Sequence, residues 1–474
     1  MVASKLKSQF AGPTYGLPFI VIAAASVLFT LQLQSGYAQN ATEQLRLDTK
    51  THAVQNSITD ATASPIQDKG GQIVNVKTFG AVGDGVTNDT EAFNAALASL
   101  ATAGGGRCLV PKGTYLISAI TNPAITSHVS SNVHLVGVGR EASILKVAGV
   151  PAGNFLFCSG DNWSVEDLTI DMQDYFIHFP GFAAIVATGN NWRITNCAIV
   201  KIGHRGINIK GGANGYIDGN LITKTAASPL DNSAILGVVD GEGHLPINMH
   251  IVHNVCVNSL IYFNGKDSVI ARNRVSGSRF GTNICTGVYS DNVSVIHNTC
   301  SGGRGRDQCK SYVSGFELWA PNSVIANNTS YDNDGAGITM GGNNCLVIGN
   351  RCWNNAGLSG VVGGSGIVAR AHPRLPNAAS GSVFIENSCF DTRPRSAMTQ
   401  AYGYNEVGKG LKDIKQFGND YNRNRVGPAK LQAQGEYAEH LQVSTEIKNK
   451  LRGLADDPDL PDTTRRSARQ YLAR

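Results

Sequence analysis

A short apolar run ending in asparagine returns along most of this chain, and that repeat restricts its fold more than any other feature. It reads Ile194-Thr195-Asn196, Ile217-Asp218-Gly219-Asn220, Val252-His253-Asn254, Ile270-Ala271-Arg272-Asn273, Val295-Ile296-His297-Asn298, Ile325-Ala326-Asn327-Asn328, Val347-Ile348-Gly349-Asn350 and Ile385-Glu386-Asn387. The intervals run from about 19 to 37 residues, the pattern of stacked coils of constant size that carry variable loops. Asparagines stacked in this way bond one another and the backbone of each turn, so they are expected to be scaffold. Two residues further on lies a second series: Ala198, Ile222, Cys256, Val275, Cys300, Ser330, Cys352 and Cys389. Its mixture of thiols with small and apolar residues predicts an inward stack.

Composition agrees with a turn-rich β protein. Charged residues are 16% of the chain, against roughly 25% in an average globular protein, and glycine numbers 54. With 42% hydrophobic residues the chain is not a disordered polar one. Forty basic against 35 acidic side chains leave +5, too near balance for a dedicated nucleic-acid binder. Ten cysteines invite a disulfide framework. A domain of this length needs no such staples, so stacked free thiols are expected, with Cys300 and Cys309 the best-placed disulfide candidates.

Residues 1–38 read as an export signal. Lys5 and Lys7 precede an uncharged apolar stretch from Leu17 to Leu33, and Gly36-Tyr37-Ala38 offers small residues for cleavage after Ala38. The body is therefore expected in the periplasm or secreted, with no stable membrane insertion once the signal is removed. Residues 39–72 are polar and aperiodic, a linker. A β-helix domain is expected over 73–426. It opens with Ile73-Val74-Asn75-Val76 and a helix after Asp89, whose Phe93, Ala96, Leu97 and Leu100 share one face before Gly104-Gly105-Gly106. From 427 to 474 the chain turns charged, with Leu431, Tyr437, Leu441 and Ile447 in helix-like surroundings and a solvated end from Asp456.

Residues Val74–Ser118 resemble the N-terminal motif of the pectate-lyase-like superfamily, in its rhamnogalacturonase/epimerase-like form. The matching residues are Val74-Asn75-Val76-Lys77-Thr78-Phe79-Gly80-Ala81, Gly83-Asp84-Gly85-Val86-Thr87-Asn88-Asp89-Thr90, Ala92-Phe93, Gly104-Gly105-Gly106 and Pro111-Lys112-Gly113-Thr114-Tyr115. The resemblance implies an all-β, single-stranded right-handed parallel β-helix with an N-terminal capping helix. It does not fix the reaction, because the superfamily holds lyases, hydrolases, epimerases and tailspikes. Asp84 and Asp89 read as turn and helix-cap residues. Gly203-His204-Arg205-Gly206 is a near match to the Gly-His-Gly of polygalacturonases, but their paired aspartates have no counterpart here outside Asp456-Asp457. The Tyr-Gly-x-Asp-Pro-His pattern of alginate epimerases is absent.

Aligning the strands that begin near Gly-Ile predicts one functional sheet face. Ile207, Ile235, Ile261, Val288, Phe316, Ile338 and Ile367 then point inward, and alternation sends Asn208, Lys210, Leu236, Tyr262, Asn264, Tyr289, Asp291, Glu317, Trp319, Thr339 and Arg370 outward. Rings stack on the apolar faces of sugars and polar groups bond their hydroxyls. Tyr262, Tyr289, Trp319, Asn208, Lys210, Asn264 and Arg370 are therefore the expected substrate-binding residues. Glu317 and Asp291 fall as a diagonal pair at roughly 7 Å, a spacing that can divide acid and nucleophile or base roles in glycoside cleavage. A one-residue slip would remove the pair.

Two alternative sets stand beside it. Asp231, Asp240, Glu242 and His244 surround a long loop. Elimination next to a uronate carboxylate needs a base such as Lys210, Lys266, His204, Arg205 or Tyr262. The first expectation is an exported enzyme cleaving glycosidic bonds of a polysaccharide by hydrolysis or transfer. The second is a lyase or uronate epimerase on an acidic polysaccharide, and the third a non-catalytic glycan-binding or tailspike-like protein. No cofactor or metal is expected, calcium entering only with a lyase, since no tight acidic cluster is visible. The partner is a polysaccharide and not nucleic acid; a side-by-side trimer is compatible but not required.

Overall fold

The computed structural model describes residues 71–118, 129–149, 154–175, 183–224, 233–279, 281–305, 313–355, 364–431 except 373, 376 and 377, and 445–456, with isolated positions up to 472. The signal, nearly all of the linker, Asp231, Cys309, Tyr437 and Leu441 lie outside the described residues.

The described strands form three long parallel sheets of 13, 12 and 11 strands, here called A, B and C in the order 13, 12, 11. Each coil gives one strand to A, the next to B and the next to C, so every sheet grows by one strand per coil. This is a parallel β-helix. Inward positions stack in register, as in Ile217, Ile251, Ile270, Val295, Ile325 and Val347 on sheet A. On sheet C the inward line is Ile207, Ile235, Ile261, Ile284, Phe316, Ile338 and Ile367. All are removed from water, the main favourable term for such a fold.

The asparagine repeat turns the corner between sheets A and B. Asn254 Oδ1 accepts from both the backbone N and Nδ2 of Asn220, each at 3.0 Å. Asn254 Nδ2 in turn donates to Asn273 Oδ1 and to the carbonyl of Ile217. The same pattern runs through Asn298, Asn328, Asn350, Asn387 and Asn419. Asn196 is not part of it: it adopts a left-handed conformation with φ 49° and bonds Asp167. Its place is taken by the backbone of Cys197, which donates to Asn220 Oδ1. The second series is corrected in the same coil, where Ile222 pairs with Ile199 and not with Ala198.

From Ile222 onward that series is an inward stack on sheet B through Cys256, Val275, Cys300, Ser330, Cys352 and Cys389. Cys300 is free and buried, so it is not the half of a disulfide that its spacing predicted: its sulfur belongs to the core. Burial pushes Cys256 up to about 12 and holds Cys300 and Cys389 well above the ordinary thiol range; these thiols stay protonated.

The helix Thr90–Thr102 buries Phe93, Ala96, Leu97 and Leu100 over the first coil. Asp84 builds a turn by accepting from the backbone of Val86 and Thr87. Asp89 makes no side-chain cap bond to the helix; it holds the preceding turn through Val82 N and Gly83 N instead. At the other end, Gly427–Lys430 pairs with Tyr402–Val407 as an outer strand of sheet C, beyond the expected boundary at 426. The helix Thr445–Asp456 sets Leu451 and Ala455 against the outward face of sheet A at Val324, Ala326, Leu346, Ile348, Val383 and Ile385, and Leu472 packs there too. The end of the chain is therefore not solvated throughout. No helix among the described residues is long and apolar enough to cross a membrane.

Candidate functional site

The outward face of sheet C carries one continuous line of side chains: Asn208, Leu236, Tyr262, Cys285, Glu317, Thr339, Val368 and Asn405. One strand of the expected alignment is displaced. The sheet C strand after Leu260–Phe263 is Ile284–Thr286, and Ile261 pairs with Ile284, not Val288. Gly287–Ser290 is the connection that leaves the sheet.

That displacement dissolves the expected carboxylate pair. Asp291 begins the sheet A strand Asp291–Ile296, registered against Lys266, and accepts from Asn322 Nδ2 at 2.9 Å. Tyr289 is 65% exposed in the connection and also leaves the face. Lys266 opens the sheet A strand Lys266–Ala271 and is removed from the candidate bases for the same reason. The place intended for Tyr289 is held by Cys285, directly between Tyr262 and Glu317. Burial and the neighbouring Glu317 keep its thiol well above the ordinary range, so it is not a thiolate nucleophile.

Glu317 is the single carboxylate at the centre of this line. Thr282 Oγ1 donates to its Oε2 at 3.0 Å, and Trp319 Nε1 to its Oε1 at 3.2 Å. Burial pushes the Glu317 carboxyl above the usual carboxylate range; the Thr282 bond, the Arg370 charge and the Trp319 bond pull it part of the way back. A carboxyl of this kind holds a proton at higher pH than a surface glutamate does.

Two glycines make the flanking geometry. Atoms of the Trp319 ring lie 2.0 and 2.1 Å from where a β-carbon on Gly341 would stand, and the Tyr262 hydroxyl lies 2.8 Å from the corresponding point on Gly287. Trp319 thus covers the next strand on one side. Tyr262 reaches across the next strand on the other, towards Glu317. His372 meets the Trp319 ring edge-on at 4.6 Å. Burial, with the charges of Arg374 and Arg370, lowers its pKa, leaving a neutral imidazole.

Asn264 directly follows the strand Leu260–Phe263, and Arg370 ends the strand Ser365–Arg370, close enough to act on Glu317. Asn208 and Lys210 lie on Arg205–Lys210, towards the N-terminal coils; Asn208 is fully buried. His204 is buried just before that strand, and Arg205 opens it.

Asp240 shapes its own loop, accepting from the backbones of Glu242 and His244 at 2.8 Å and from His244 Nδ1 at 3.0 Å. Glu242 and His244 are exposed. Asp240, Glu242 and His244 bond among themselves. Among the described residues, no group of three or more His, Cys, Asp or Glu side chains is arranged to hold a metal ion.

Sequence reasoning missed Thr282, Cys285, Thr339 and His372. A signal for the first two was present: Val288 lies closer to Asn298 than Ile261, Phe316 and Ile338 lie to Asn273, Asn328 and Asn350. Thr339 had been placed outward but given no partner; it bonds Ser314 at 2.9 Å. His372 had no signal, because it sits in an irregular connection.

The sequence profile of the family described as "Rhamnogalacturonase A/epimerase, pectate lyase-like" matches residues 73–362. The chain is 27% identical over 277 residues to mannuronan C5-epimerase AlgE2 of Azotobacter vinelandii, a match that spans 56% of this chain and 22% of that protein. It is 36% identical over 107 residues to alginate lyase 7 of the same organism, spanning 20% of this chain and 12% of the relative. The chain therefore spans about a fifth or less of these relatives' length. In structure, the A-module of Azotobacter vinelandii mannuronan C-5 epimerase AlgE4 superposes with a TM-score of 0.59 at 16% identity, covering 77% of this chain and 99% of the module. That likeness is one of fold.

Proposed function

Because the chain belongs to the rhamnogalacturonase A/epimerase, pectate lyase-like family, we propose that it is an enzyme acting on an acidic polysaccharide laid along sheet C. The reaction is proton abstraction beside a uronate carboxylate, as in a lyase or an epimerase, and not two-carboxylate hydrolysis. The observation that carries this reading is the isolation of Glu317. Its expected partner Asp291 stands on sheet A, so among the described residues the line through Tyr262, Cys285, Glu317 and Thr339 holds no second acid of the kind that glycoside hydrolysis uses. The mannuronan epimerase and alginate lyase relatives support the same substrate class.

In this reading a raised-pKa Glu317 and the Arg370 guanidinium face the substrate carboxylate. Burial lets Glu317 hold a proton to higher pH than a surface glutamate, and while it holds one it donates where a second negative charge would repel; Arg370 supplies the countercharge. Tyr262, reaching over Gly287, exchanges the proton on the carbon beside that carboxylate. The C–H electron pair moves onto the carboxyl group. Its return either expels the neighbouring glycosidic oxygen, which takes the proton that Tyr262 removed and leaves a carbon–carbon double bond, or captures a proton from water on the opposite face to invert the centre.

The test is a panel of polyuronates incubated with the full chain in deuterated water. Ultraviolet absorbance of unsaturated ends, reducing ends and deuterium at the carbon beside the carboxylate are followed together. Unsaturated ends or deuterium incorporation, lost in Tyr262→Phe, are expected. New reducing ends with neither would mean hydrolysis and overturn the proposal.

A further inference from the structure

The polar side chains at the middle of sheet C are bonded to one another, whereas one asparagine on either side leaves its amide oxygen unbonded. Thr282 and Trp319 hold Glu317, and Ser314 Oγ lies 2.9 Å from Thr339 Oγ1. To one side Asn264 Oδ1, and to the other Asn405 Oδ1, are buried with no hydrogen-bond partner, although each residue keeps 8% of its surface exposed. Asn208, Ser233 and Ser365 also carry unpartnered atoms, but they are covered almost completely and no ligand role is assigned to them. An unbonded buried amide oxygen is costly, and native proteins keep few of them. The two that keep some exposed surface, on either side of a preorganised centre, are where an outside donor can complete the bonding.

We propose that Asn264 and Asn405 are sugar-binding positions on opposite sides of Glu317, so that the substrate is an extended polyuronate processed within the chain and not at its end. This inference rests on the reading of sheet C as the polyuronate face. Between the two asparagines the strands run Leu260–Phe263, Ile284–Thr286, Phe316–Leu318, Ile338–Met340, Ser365–Arg370 and Tyr402–Val407, a span of about 24 Å at the usual strand spacing of ~4.8 Å. Glu317 lies two strands from Asn264 and three from Asn405, so sugars must continue past the reacting unit in both directions. The free atoms are acceptors. They take hydroxyl donors of the sugar ring, whereas the ionised uronate carboxylate, itself only an acceptor, is left to Glu317 and Arg370. Asn264 is aimed towards the centre, its Oδ1 lying 1.9 Å from where a β-carbon on Gly287 would stand.

The test uses purified oligouronates from trimer to decamer with the full chain and the variants Asn264→Ala, Asn405→Ala and Asn405→Asp. For the unaltered chain kcat/KM is expected to climb with length until the span between the asparagines is filled, with products of internal attack. Asn405→Ala should lower the decamer-to-trimer ratio of kcat/KM about tenfold, through KM and not kcat. Its melting temperature should not fall, because the lost amide oxygen has no bond to protein. Asn405→Asp keeps the shape but repels the acidic chain, and should lose more. Equal kcat/KM for trimer and decamer, products released from one end only, or an unchanged KM in both Asn405 variants would overturn the extended-site inference while leaving the polyuronate reading standing. Failure of the unaltered chain to bind any oligouronate would overturn that reading as well.

Discussion

The indole of Trp319 fills the space that a side chain on Gly341 would need: its Cζ3 lies 2.0 Å from the point where a β-carbon would stand. The same indole donates to Glu317, so the glycine indirectly sets the angle at which the carboxyl is held. Gly341→Ala must push the ring away and should cost about 1–3 kcal/mol of stability together with most of the activity. In a Trp319→Ala background the clash is gone, and the second substitution should cost far less. A double-mutant cycle by denaturant unfolding checks this non-additivity.

Glu317 carries a raised pKa caused first by burial. The folded state therefore holds its proton more tightly than the unfolded chain. Below the unfolded value both states are protonated and nothing is lost; stability then falls as pH rises through the raised folded value. Glu317→Gln abolishes this penalty. Its melting temperature should match that of the unaltered protein in acid and exceed it increasingly towards neutral pH, while turnover of polyuronate falls only modestly, because the amide still donates a hydrogen bond to the substrate carboxylate. A melting series across that range, paired with activity assays, decides it.

Asp291 bonds Asn322 at a corner of sheet A. Asp291→Ala is expected to keep turnover within about twofold of the unaltered enzyme and to cost about 1 kcal/mol in stability. A loss of activity of about a hundredfold or more in both Asp291→Ala and Glu317→Gln would restore the two-carboxylate mechanism.

Asn328 Oδ1 accepts from the backbone and side chain of Asn298, and its Nδ2 donates to Val295 O and to Asn350 Oδ1. Asn328→Ala strands buried groups in adjacent coils and should destabilise by about 3 kcal/mol. Leucine should not rescue it, because the deficit is one of hydrogen bonds and not of volume. Chemical denaturation of both variants reads the difference.

The C-terminal helix covers the apolar outer face of sheet A. Deleting residues 445–474 should expose Val324, Leu346 and Val383, lower the melting temperature by several degrees and increase binding of a hydrophobic dye. An unchanged dye signal would mean that the helix contributes no cover.

The sequence by itself determined the solenoid, because its cause is repeated in every coil. An apolar residue must point inward and an asparagine must close the corner at Asn220, Asn254, Asn273 and onward, whatever the loops do. It also determined that Glu317, Trp319, Tyr262 and Arg370 share a sheet, since Gly315-Phe316 and Gly366-Ile367 repeat the same inward phase. Tertiary structure alone decided which residues face one another across the strands. Gly287-Val288 imitates the start of a sheet C strand, and choosing it over Ile284 carried Asp291 onto the wrong sheet: side-chain direction alternates along a strand and changes sheet at each corner, so a local shift of a few residues moves a side chain to another face. The partners of Glu317 were hidden for a related reason. Thr282 and Arg370 lie far apart in sequence, and only stacking of coils places a hydroxyl and a guanidinium beside a carboxyl that burial has already made reluctant to ionise.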